Sequence, residues 1–160
     1  MTNFSALLFL SLLIAGAAQA QPACPVPLEI GAANVTLASA AASPDLEPAR
    51  LNPDQAATVH LHAMSEVRFI NPPERRGDAS SFGGMLVLDV REAGTYQVAL
   101  SADAWIDVLK DGTAIASVEK GADCSGPRRI ASFALTQGRH MIQLSGNREV
   151  TIRVIVVRKQ

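Results

Sequence analysis

The chain lacks every compact catalytic signature that spacing alone can reveal. No nucleophile elbow, phosphate-binding loop or dinucleotide fingerprint occurs in its 160 residues. It has no excess of charge either, with 14 Lys and Arg against 15 Asp and Glu. That balance argues against nucleic acid or an anionic membrane as partner and leaves small ligands, glycans and proteins. There is no internal repeat, tryptophan occurs once, and cysteine occurs twice, at Cys24 and Cys124. The apolar run at residues 7–15 is too short to cross a bilayer.

That run has the length of a signal-peptide core, and Ala18-Gln19-Ala20 follows it with a small-x-small cleavage pattern. Met1 carries the only positive group ahead of it, its α-amino group. Gln21-Pro22-Ala23 before Cys24 is not the run of small residues that a lipid anchor requires. The expected product starts at Gln21, is periplasmic or secreted, and has no transmembrane anchor. Export places Cys24 and Cys124 in an oxidising compartment, where an even count implies a bridge. A loop of about 100 residues closed in this way contributes roughly 4.7 kcal/mol in the chain-entropy model.

The remaining chain suits one domain. Residues 21–57 are rich in Ala, Pro and small polar side chains, with Pro44 and Pro48 breaking any helix, and read as an extended arm. From residue 58 to 160, β-branched and apolar runs recur at about 10-residue intervals. Candidate strands are 57–63, 66–70, 85–90, 95–101, 105–110, 113–118, 130–135, 139–145 and 150–157. The expected fold is all-β, a single antiparallel jelly-roll-like sandwich of 8 to 9 strands. Asp111-Gly112 is a tight-turn pair. Two long loops, 71–84 and 119–129, interrupt the rhythm, and each holds a basic pair, Arg75-Arg76 and Arg128-Arg129. Solvated loop charge is the plain reading of these pairs; an anionic ligand held between the loops is the other.

Two constellations carry possible chemistry. Trp105 shares a strand face with Asp107, and Asp103 and Asp111 lie close in sequence. An aromatic plate beside carboxylates suits sugar binding, the ring covering C–H groups while the acids take hydroxyls. Hard oxygen donors make calcium conceivable here. The second set is His60, His62 and Glu66, spaced HxHxxxE, together with His140. These residue types suit a non-haem iron or manganese ion. Strand parity opposes that site, because Val59, Leu61 and Ala63 form the apolar face and leave His60 and His62 on the other.

The HxHxxxE spacing resembles the first metal motif of the cupins, and Gly138-Arg139-His140 loosely resembles their second. The progression Gly94-Thr95-Tyr96, Val98, Leu100-Ser101, Asp103, Trp105-Ile106-Asp107, Asp111-Gly112 and Gln137-Gly138-Arg139-His140 resembles that of PA14-like carbohydrate-binding sandwiches over residues 92–157. The PA14 resemblance implies a sandwich and a glycan ligand. Ala102-Asp103 stands where that family has the adjacent aspartates that bind calcium. The whole chain is similar to small exported proteobacterial proteins with a GTYxVALSxxxWIDV core that carry the name homogentisate 1,2-dioxygenase. This resemblance implies an iron dioxygenase. From the residues themselves, the expectation is a non-catalytic binding or accessory protein for a glycan, a small ligand or an envelope partner, with Trp105, Asp103, Asp107 and Asp111 at its site. The alternatives are a cupin-like dioxygenase that holds iron with His60, His62, Glu66 and His140, and a structural envelope-assembly module.

Overall fold

The computed structural model describes residues 36–120 and 129–159. Residues 1–20, the first part of the arm, and both Cys24 and Cys124 lie outside the described residues. Twelve strands follow in chain order: β1 (Thr36–Ser39), β2 (Arg50–Leu51), β3 (Ala57–His60), β4 (His62–Ala63), β5 (Phe82–Val90) and β6 (Gly94–Leu100). Then come β7 (Trp105–Lys110), β8 (Thr113–Ile115), β9 (Ser117–Lys120), β10 (Arg129–Leu135), β11 (Gly138–Asn147) and β12 (Thr151–Arg158). One sheet has the order β1-β3-β12-β6-β10-β9 and the other β2-β5-β11-β7-β8, with β4 also paired to β5. The fold is an all-β sandwich.

Period-two alternation builds the layer between the sheets. Tyr96, Val98 and Leu100 of β6, Ile152, Val154 and Val156 of β12, and Phe133 and Leu135 of β10 meet Leu86 and Leu88 of β5, Ile106 and Val108 of β7, and Ile142 and Leu144 of β11. Each such side chain, fully buried, contributes about 1.5–3 kcal/mol. Tyr96 also spends its hydroxyl locally, donating to Glu92 O at 2.9 Å and so clamping the turn between β5 and β6. The β7–β8 hairpin closes through Asp111 (φ 50°) and Gly112 (φ 78°), the two positive-φ positions of a type I′ turn.

Three details depart from the sequence reading. The sheets are mixed rather than antiparallel throughout, because β1 runs parallel to β3 and β2 parallel to β5. The Ala-rich stretch makes this possible. Ala40 and Ala41 are 3% exposed where the chain passes from one sheet to the other, and Gly84 leaves room for them, since a Cβ there would meet Ala40 Cβ at 2.5 Å.

Residues 57–63 do not form one strand. Leu61, its amide bonded to Val150 O at 2.8 Å, carries the chain from β3 in one sheet to β4 in the other. Ala116 does the same between β8 and β9. Residues 66–70 are not a strand; they turn across the end of the sandwich with Val67 buried.

Candidate functional site

β7 lies beside β11, with Asp107 opposite Gln143 and Trp105 opposite Ser145. Because Ile106 and Val108 face the core, Trp105 and Asp107 point to the outer face of their sheet. The loop after residue 70 is fastened over that face by Gln143. Its Oε1 accepts from the amides of Ile70 (3.0 Å) and Asn71 (3.3 Å), and its Nε2 donates to Asn71 O at 3.0 Å. Ser145 Oγ donates to Arg75 O at 2.6 Å. Further along, Gly77 lies on Gly146, where β11 bulges. A Cβ on Gly77 would meet Gly146 Cα at 2.5 Å, and both residues have positive φ, so the loop can approach only as glycine against glycine.

This fastening builds a polar cluster around the half-buried Trp105. Its Nε1 donates to Asp107 Oδ1 at 3.1 Å, and the Glu74 amide donates to Asp107 Oδ2 at 3.3 Å. Burial pushes the Asp107 carboxyl above the usual aspartate range; the two donors oppose that shift and the nearby Glu74 charge adds to it. Two guanidinium groups stand over the indole, Arg75 at 4.7 Å and Arg129 at 4.6 Å from its centroid. Arg129 Nε donates to Ala104 O at 3.1 Å and lies 3.7 Å from Asp103 Oδ1.

A cleft of about 680 Å³ opens here. Asn71, Glu74, Asp103, Trp105, Asp107 and Arg129 supply polar groups, while Ile106, Leu109, Ile115, Ile130 and Phe133 supply apolar wall. A second cleft, of about 530 Å³, is lined by Arg50, Asp89, Arg91, Glu92 and Arg158. Its ion pairs, Arg50 with Asp89 and Arg158 with Glu92, are exposed. Pairs of this kind contribute little to stability.

Asp103, Trp105 and Asp107 thus share one cleft. Asp111 does not join them; it sits in the β7–β8 turn and is absent from the cleft wall. The histidines stay apart as well. His62 pairs with Gly83 of β5, and His140 with Leu88 of the same strand. Five residues of strand separate those positions, about 17 Å. His62 Nε2 lies 2.9 Å from Ala40 O, Glu66 is exposed, and His140 Nδ1 lies 3.1 Å from Gly138 O. His60, His62, Glu66 and His140 therefore form no common site. Among the described residues no group of three or more His, Cys, Asp and Glu is placed to hold a metal ion.

Sequence reading missed Gln143 and Asn71. The available signal was weak: a Gln between Ile142 and Leu144 reads only as the polar face of a strand. The arginines were visible as loop charge, but nothing in their spacing foretold that Arg75 and Arg129 would meet over one ring. The chain matches no protein-family model and no curated protein.

Proposed function

We propose that this protein is an exported binding protein that holds a small ligand in the cleft beside Trp105 and performs no chemistry on it. The observation that carries the reading is the meeting of an apolar wall with a few fixed polar groups at its mouth. Small-molecule sites are built in this way, the wall supplying affinity and the polar groups orientation. Asp107 and Gln143 stand on adjacent core strands, so the polar groups keep their positions when the cleft is empty. A glycan is the less favoured ligand. Asp103 and Asp107 suit hydroxyls, but Arg75 and Arg129 compete with a sugar ring for the indole. The iron dioxygenase alternative has no support in the placement of its four residues, since His62 and His140 pair with well-separated positions of β5.

A second reading, an accessory module of the envelope docking by a sheet edge, draws on Leu37, 86% exposed on the edge strand β1. Trp105 is the only tryptophan, so its emission reports on the cleft alone. Titration with small organic ligands should give a saturable change that Ala116→Phe, which narrows the cleft, abolishes. A saturable change that survives Ala116→Phe, or no change with any ligand of the cleft's size, would count against the proposal. Binding of an envelope protein unaffected by Ala116→Phe would favour the accessory reading.

A further inference from the structure

The cleft combines two chemistries. Its inner wall is apolar, with Ile106, Leu109 and Phe133 at 6%, 1% and 2% exposure. Its mouth gathers two cations. Both guanidinium carbons lie within 4.7 Å of one ring centroid, so the like charges are closer together than the Debye length of about 10 Å at 0.1 M salt. The acids on the same wall neutralise them only in part. Asp103 takes the edge of Arg129, and its own side chain is 78% exposed. Both oxygens of Asp107 already accept a proton donor, Trp105 Nε1 and the Glu74 amide. Glu74 is exposed. Among the described residues, Arg75 has no carboxylate within ion-pair distance and its guanidinium makes no hydrogen bond. Its planar fork matches a carboxylate in two parallel N–H···O bonds.

We infer that the ligand is a small amphipathic carboxylate, its head group held by Arg75 and Arg129 and its hydrocarbon body lying against Ile106, Ile115 and Phe133. The inference rests on the cleft being a ligand site and adds the class of ligand. An uncharged molecule of the same shape would leave the two cations uncompensated and bind less well. A purely polar anion would leave the apolar wall wet.

The test titrates Trp105 emission in the full mature protein with decanoate and, separately, with decanol, which has the same chain and no charge. Decanoate should quench saturably with at least about tenfold higher affinity, the equivalent of about 1.4 kcal/mol. Arg75→Gln should lower decanoate affinity by about tenfold and leave decanol unchanged. The Arg75 side chain is bonded to no other described side chain, so the variant should fold, which circular dichroism checks. Arg75→Lys, which keeps the charge and loses the fork, should fall between the two. If decanol binds as tightly as decanoate, or Arg75→Gln changes neither, the carboxylate inference fails and the cleft remains a ligand site. If neither compound binds, both readings fail together.

Discussion

Replacing Trp105 by phenylalanine keeps a ring beneath Arg75 and Arg129 and removes one donor, the Nε1–H that Asp107 Oδ1 accepts at 3.1 Å. A hydrogen bond to a charged group contributes about 1.5–3 kcal/mol when well buried. Asp107 is only half-buried, so solvent reduces this to about 1 kcal/mol. The sign depends on pH. Burial already raises the Asp107 carboxyl above its ordinary value of 3.8, and the indole N–H opposes that rise. Without the donor the carboxyl rises further, and the ionised form alone loses stability. Trp105→Phe should therefore destabilise most at neutral pH, with the difference shrinking as pH falls through the raised Asp107 value. Urea unfolding followed by far-ultraviolet circular dichroism measures it, run as a double-mutant cycle with Asp107→Ala. The smaller ring and the unpaired Glu74 amide then cancel. The expected coupling is about 1 kcal/mol at pH 7. A coupling within the ~0.3–0.5 kcal/mol error of additivity, or a Trp105→Phe effect equal at neutral and acid pH, would refute the argument.

His140 is 1% exposed and its Nε2 has no partner among the described residues; burial lowers its pKa below the ordinary 6.5. A lowered imidazole value means stability that is complete above 6.5 and lost as pH falls through the folded value. His140→Gln should thus flatten the decline in Tm between pH 7 and 5, and an unchanged slope would contradict this. Gly77→Ala places a Cβ 2.5 Å from Gly146 Cα at φ 81°, so it should cost more than about 1 kcal/mol. It should also speed tryptic cleavage at Arg75 and Arg76; cleavage at the wild-type rate would show that the loop is not fastened there. Peptide mapping of non-reduced protein from the periplasm should show Cys24 joined to Cys124, and two free thiols would disprove the bridge.

Alternation and turn chemistry made the body of the sandwich legible. Val98 and Leu100, or Ile142 and Leu144, can face only one way once their polar neighbours face the other. Asp111-Gly112 named its own turn. Parity in β7 also put Trp105 and Asp107 on one face. The two sheet crossings were not legible, because Leu61 and Ala116 fit an unbroken strand as well as a crossing. A single residue can change sheets without any break in the apolar rhythm. The arm misled by composition. Ala40 and Ala41 look like loose linker, yet their small size lets the backbone pass against Gly84. The cleft drew on contacts between residues up to 73 positions apart, such as Ile70 with Gln143, and no local pattern encodes such a pairing.

The central claim is that a small ligand occupies the cleft beside Trp105. The most direct measurement is a two-dimensional ¹⁵N–¹H spectrum of the mature protein titrated with decanoate. The account predicts saturable shifts confined to the Trp105 indole N–H, the Arg75 and Arg129 guanidinium resonances, and the amides of Asp107, Ile115 and Gln143. Shifts centred on Arg50, Asp89 and Arg158 instead, or a spectrum that does not change, would contradict it.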